Sequence, residues 1–476
     1  MMIDPFILLG IGIVVVVGSI VLLKLHPFFS LVLGALVVGI MSGPENLQLF
    51  ATARGLGPAE TADILSQSAG ERIARAFGNT IGRVGILIAM ASIIADCLFK
   101  SGGADKIIRK LLKVFGIRNA PLAFLSGSFT LGMPVFFDTV FYLTFPLARS
   151  LAVRTRKNYG LYIMAIIAGG VMAHSLVPPT PGPLYVATEL GVNIGVMILA
   201  GIVIGSITAL AGYLYGRWAD KKWPLPIRDS ESSSLEELES RTRLGDKDLP
   251  SFSRAISPIL VPILLISGNT ILNLVLKDDS PFNHLILNVF SFAGDSNVAL
   301  TISAVIALVI LSRSKITDIS LKKTIQNSLA QAGVIILITG AGGAFGRTLE
   351  QTGITLRISE LFNIGSIAIL PVAFLITSLI RTAQGSATVA MITAVGILGG
   401  IASTADLPFH PVYIALAIGC GSKIFPWMND SAFWIVSRIS GMTEREAIRN
   451  FSFLLSIMGI VGLISIIGFA LVLPLV

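Results

Sequence analysis

The sequence predicts an all-α polytopic membrane protein built from two inverted-topology repeats of about five transmembrane helices, each with a re-entrant hairpin and a broken helix. Three observations carry this expectation: the apolar excess of the chain, the placement of its basic residues, and a weak likeness between its halves at an offset of 250 residues.

The 476 residues are 54% hydrophobic and 13% charged, with a mean hydropathy of +0.83. A water-soluble exterior has to be largely polar, so a soluble chain of this length has no place for that much apolar surface. Apolar runs of about 20 residues between short charged loops match a hydrocarbon core roughly 30 Å thick. The runs are continuous rather than alternating with period two, which favours helices over a β-barrel. The net charge of +8 does not point to nucleic acid, because the basic residues sit in loops beside the apolar spans. Cys97 and Cys420 lie far apart in apolar surroundings and imply neither a disulfide framework nor a metal site.

Spans are expected near 5–24, 27–42, 83–100, 159–190 and 194–216. The first is read as a retained helix, since Met1-Met2-Ile3-Asp4 offers no basic leader and no small-residue cleavage site follows. A charged linker at 217–254, with the run Glu231–Glu239, separates an N-terminal membrane repeat (1–216) from a C-terminal one (255–476). Spans recur near 255–276, 297–312, 331–349, 409–439 and 449–473. The stretches 118–153 and 366–403 are too long for one crossing and are interrupted by small and polar residues, as re-entrant hairpins would be.

With both termini outside and the linker in the cytoplasm, 26 of the 35 Lys and Arg residues fall on the inner side and seven on the outer, while Arg381 and Lys423 lie at membrane depth. Making 118–153 a simple crossing would place a dense basic loop outside. At the 250-residue offset Gly103 meets Gly353, Gly191 meets Gly441, Pro178–Gly182 falls on Met428–Ala432, and Gly132–Asp138 falls on Thr382–Thr388. Five spans per half is an odd number, so the second half enters from the opposite side, as in many secondary transporters.

Four polar breaks interrupt the apolar runs. The first hairpin carries Ser126, Ser128 and Thr130, with Asp138 following; the first broken helix carries His174, Thr180 and Gly182 within His174–Pro183. The second hairpin carries Arg381, Thr382, Gln384, Ser386 and Thr388, and the second broken helix carries Ser422, Lys423, Asn429, Asp430 and Ser431. Helix ends exposed at membrane depth offer N–H donors and a positive dipole end to a carboxylate. Hydroxyl and amide side chains serve a polyhydroxylated chain as donors or acceptors. The candidate ligand is therefore a small organic anion carrying hydroxyls. The chain has no phosphate-binding G-x-x-x-x-G-K-[ST] loop, so an ion gradient is the expected energy source.

Several residues keep two readings. Pro178–Pro183 serves as a binding break or as a loop joining two spans. Asp138 and Asp430 fit helix caps or proton carriers, and His174 fits a proton carrier or a structural hydrogen-bonder. Arg381 and Lys423 either attract the substrate carboxylate or neutralise Asp430, with Arg381 favoured for the substrate. Asp96 is read as an interior helix residue with a partner, Arg347 and Glu350 as a local pair, and Glu71, Arg72 and Arg75 as the polar face of an outer segment. An intramembrane enzyme would need a constellation such as a Ser with a base or His/Asp metal spacing, and the chain has no His pair at i,i+4.

The stretches Pro179–Ala187, Gly340–Gly346, Arg381–Thr388 and Asn429–Trp434, in that order along nearly the whole chain, resemble the gluconate:proton symporter (GntP) family. The resemblance implies a bacterial inner-membrane carrier that takes up gluconate or a related sugar acid with protons and needs no cofactor. Members of that family differ in substrate, so fructuronate and D-serine are alternatives; a sodium-coupled carboxylate carrier is another, because the polar breaks offer carbonyl and hydroxyl oxygens to such an ion. By analogy with the architecture, a homodimer is compatible with it.

Overall fold

The computed structural model describes residues 3–228, 245, 248–276, 281–314, 320–354, 367–404, 407–428 and 430–475, and those residues contain helices and no strand. The acidic run Glu231–Glu239 and most of the expected linker lie outside the described residues.

Helix starts follow local signals. Proline opens α1 (Pro5–Val21), α2 (Pro27–Met41), α3 (Pro44–Ala53) and α4 (Pro58–Ser66), where its missing N–H costs nothing. Asp4 and His26 cap the first two by accepting from the Phe6 and Phe28 N–H groups. A reciprocal Ser68/Glu71 box opens the 32-residue α5 (Ala69–Lys100). Next come α6 (Gly103–Phe115), α7 (Ala120–Gly132), α8 (Phe137–Thr155), α9 (Tyr159–Leu176), α10 (Pro181–Glu189) and α11 (Ile194–Lys222). The remainder comprises α12 (Phe252–Val275), α13 (Pro281–Ala293), α14 (Ser296–Ser312), α15 (Leu321–Glu350), α16 (Ile369–Gln384) and α17 (Ala387–Thr404). Finally α18 (Val412–Gly421), α19 (Ser431–Ser440) and α20 (Glu444–Ala447) lead through a π-turn, Ile448–Ser452, into α21 (Phe453–Val472).

Among the described residues, six helices are long and apolar enough to cross a membrane, or up to eight if each bent pair is one span. One of the six is the run Tyr159–Glu189, whose apolar window is wholly buried in protein. With the equally buried α18 it forms the centre of the molecule, and α7 and α11 pack on α9. Apolar side chains such as Leu214 on α11, Leu264 on α12, Val305 on α14 and Ile464 on α21 are left exposed, as lipid contact requires.

Two expected spans prove longer than their apolar windows. The expected 83–100 is the second part of α5, and 331–349 is the second part of α15. Hydropathy discounts their polar first turns, yet buried partners continue the helices. Arg72 is 8% exposed and donates to Gln351 Oε1 at 3.2 Å, to the Gln67 carbonyl at 2.9 Å and to the Gly39 carbonyl at 3.0 Å. It is thus a buried tie and not part of a solvated polar face. Asp96 has the partners expected of an interior residue: Lys100 Nζ and Ser328 Oγ both lie at 3.0 Å, joining α5 to α15. Residues 44–66, unassigned from sequence, form α3 and α4. The expected linker begins later than 217, because α11 continues to Lys222.

Close packing needs glycine where α15 crosses α17. A Cβ on Gly346 would lie 2.6 Å from the Gly396 Cα, so the two backbones touch.

Candidate functional site

Three of the four helix interruptions converge on one cavity. Residues 133–136 join α7 to α8, and residues 385–386 join α16 to α17. Residues 177–180 divide α9 from α10, and residues 422–430 divide α18 from α19. Each break has its own local cause. Thr180 Oγ1 donates to the His174 carbonyl at 2.7 Å and to the Val177 carbonyl at 2.9 Å, closing the end of α9 just before Pro181 starts α10. Gly385, at φ +83°, ends α16 in the left-handed region that side chains disfavour. Ser386 then accepts from the Val389 N–H at 3.3 Å at the start of α17. Asp430 caps α19 by accepting from the Ala432 N–H at 2.7 Å.

A cavity of about 310 Å³ opens where the breaks at 133–136, 385–386 and 422–430 meet, and α9 reaches it through Val171 and His174, ahead of its own break. Its polar lining is Asp138, His174, Arg381, Ser386, Thr388, Lys423, Asp430 and Ser431. Its apolar wall is Phe136, Phe137, Val171, Phe451 and Leu455. The first turns of α8, α17 and α19 all reach it, which brings three positive helix ends to one space.

The charges are arranged unequally. Arg381 is 3% exposed and Asp430 4%; they form an ion pair through Nη2 and Oδ2. Arg381 also donates through Nε to the Ser422 carbonyl at 3.0 Å and through Nη1 to the Gly385 carbonyl, so one guanidinium holds both breaks of the second half together. Lys423 is as buried, at 3% exposed, but has no hydrogen-bond or ion-pair partner among the described residues. Asp138, half-buried in the first turn of α8, likewise has none there. The neutraliser of Asp430 is Arg381, the basic residue that sequence reasoning had favoured for the substrate. His174 faces Phe136 with ring centroids 5.5 Å apart, and its buried Nδ1 lacks a partner among the described residues.

Other residues singled out from the sequence lie elsewhere. Ser126, Thr130 and Thr382 donate to carbonyls of their own helices, Leu122, Ser126 and Ser378, at 2.8, 2.9 and 2.9 Å. Ser422 donates to the Gly419 carbonyl at 2.6 Å, and Thr180 closes α9 as above. Ser128 is buried off the cavity, its hydroxyl without a partner among the described residues. Gly182 gives room to the Met391 side chain, which packs α10 against α17. Asn429 and the side chain of Gln384 lie outside the described residues. Sequence reasoning missed the aromatic wall. Phe136 and Phe137 follow the first hairpin break and were visible there, but Phe451 sits on a π-turn that no periodicity announces.

Comparison with known proteins adds the family. The model of the GntP family permeases matches residues 5–472. A gluconate permease of Pseudomonas aeruginosa is 30% identical over 478 residues, covering 99% of each chain. An uncharacterized permease of Haemophilus influenzae is 31% identical over 92% of this chain and 86% of its own. Among solved structures, the crystal structure of the Alcanivorax borkumensis YdaH transporter aligns with a TM-score of 0.60 at 14% identity, over 95% of this chain and all of that one. That last likeness concerns the fold alone. Matched along almost its full length, this multi-pass membrane protein belongs to the GntP family permeases.

Proposed function

We propose that the protein is a secondary active transporter that imports gluconate or a closely related sugar acid across the bacterial inner membrane together with protons. The observation that carries this reading is the unequal pairing in the mid-span cavity, where Lys423 and Asp138 are left over beside the satisfied Arg381–Asp430 pair.

Two cations and two carboxylates line the space. With Asp138 ionised they balance, and a monoanion has no net charge to meet. With Asp138 protonated the lining is positive by one, and Lys423 faces an incoming carboxylate unopposed. Proton and anion thus favour one another's binding, which is the linkage that symport requires. The N–H groups at the starts of α8, α17 and α19 complement the carboxylate. Ser386, Thr388 and Ser431 are placed for the hydroxyls, and the aromatic wall for the C–H faces of the chain. The name of the Pseudomonas aeruginosa relative, gluconate permease, supports the choice of sugar acid.

An inverted repeat supports alternating access around such a site. Helix pairs α7/α8 and α16/α17, and α9/α10 and α18/α19, recur close to the 250-residue offset. Within that repeat Asp138 corresponds to Thr388, both lining the cavity, while Thr180, which closes α9 away from the cavity, corresponds to Asp430. Uptake of labelled gluconate into proteoliposomes, with pH and sodium gradients imposed separately, tests the reading. Accumulation driven by an inward proton gradient without sodium is expected. Accumulation that follows sodium alone overturns the proton coupling. Uptake of D-serine in preference to gluconate overturns the substrate.

A further inference from the structure

A second polar cavity, of about 640 Å³, lies at the Glu189 end of the Tyr159–Glu189 span, on the face predicted to be outside. From its floor, α10 leads back to the break at Thr180; Pro181 to Glu189 is roughly 12 Å of helix. Five guanidiniums line it, those of Arg54, Arg72, Arg75, Arg83 and Arg347, against three carboxylates, those of Asp63, Glu189 and Glu350. The lining therefore carries two positive charges in excess.

These arginines are not equivalent. Arg72 is locked among Gln351, Gln67 and Gly39 and braces the fold. Arg54 and Arg347 share one carboxylate, that of the buried Glu350, at 3.0 and 2.7 Å. One carboxylate cannot neutralise two cations, so this pair leaves positive charge facing the cavity. Arg83 holds Glu189 through a single contact of 2.8 Å, with 46% of its side chain exposed. Arg75 holds Asp63 at 3.0 Å and is more exposed still. Guanidiniums held at one edge keep their other N–H groups for a bidentate carboxylate, and a concave basic surface concentrates anions by focusing its field.

We propose that this cavity is a capture site for a hydroxy-carboxylate, which it binds before passage to the mid-span cavity. The inference rests on the sugar-acid substrate argued above. The carboxylate competes with Glu189 for Arg83, and because Arg83–Glu189 ties α5 to the end of α10, capture also loosens α10.

The test is made on the full chain in proteoliposomes carrying Asn79→Cys. Asn79 lines the cavity and is exposed, whereas Cys97 and Cys420 are buried. The rate at which an anionic methanethiosulfonate modifies the introduced thiol is compared with the rate for a cationic one, with and without gluconate. Capture predicts at least a threefold preference for the anionic reagent and at least a threefold slowing by gluconate. Arg83→Gln should remove both effects and Arg83→Lys should keep the preference. Arg75→Gln, which leaves Glu189 paired, should weaken both and so guards against misfolding of the first variant. Equal labelling by the two reagents, or no slowing by gluconate in protein that transports it, overturns the capture site and leaves the transport reading standing. Slowing by gluconate in protein that does not accumulate it supports capture and overturns the transport reading instead.

Discussion

Lys423 and Arg381 show why neighbouring basic residues at membrane depth need separate treatment. Arg381 is bonded to Asp430, Ser422 and Gly385. Its replacement by methionine strands a buried carboxylate, at a cost of about 3–5 kcal/mol in systems of this kind. Arg381→Met should therefore lower the thermal midpoint of the purified protein. Arg381→Met combined with Asp430→Asn should recover most of that loss but not transport. Lys423 supports no such network, so Lys423→Met should leave the midpoint within a few degrees while weakening gluconate binding at least a hundredfold, read by calorimetry. A Lys423→Met variant that binds normally would remove the ammonium from the site. At this scale the sequence was informative about residue types. Asp138, Arg381, Ser386, Thr388, Lys423, Asp430 and Ser431 stood out as polar groups in apolar runs and all line one cavity. It was less informative about pairing, because Ser126, Thr130 and Ser422 turn to carbonyls of their own helices, a choice set by rotamer and backbone geometry.

The helices owe their ends to short signals and their lengths to tertiary partners. Proline starts and the glycine stop at Gly385 are local signals, although sequence reasoning drew no helix boundary from them. The extension of α5 to Ala69 is only partly local: the Ser68/Glu71 box marks its start, but its first turns are held by Gln351 and Gly39 meeting Arg72 across 279 and 33 residues of chain. Two substitutions probe elements rather than chemistry. Gly385→Ala puts a methyl group on a left-handed residue and should destabilise the protein by about 1 kcal/mol. Gly346→Leu places bulk where α15 and α17 touch, and should cost about 1–3 kcal/mol by overpacking. Denaturation monitored by circular dichroism checks both. Neutral behaviour of Gly346→Leu would mean that the two helices are free to separate.

For the whole molecule, the charge distribution and the offset of 250 residues are statements about topology. If the repeats are inverted, a cysteine replacing Asn79 reacts only with reagent added outside right-side-out cells, and one replacing Ser234 in the linker reacts only after permeabilisation. The buried run Tyr159–Glu189 and the exposed apolar faces of α11, α12 and α21 place the lipid around the molecule and the cavities within it. The central claim is that Asp138 couples proton to anion. Its most direct test compares wild type with Asp138→Asn in proteoliposomes, measuring gluconate accumulation under an inward pH gradient beside gluconate–gluconate counterflow. The account predicts accumulation by wild type alone, with counterflow kept by both. Proton-driven accumulation undiminished in Asp138→Asn would contradict it.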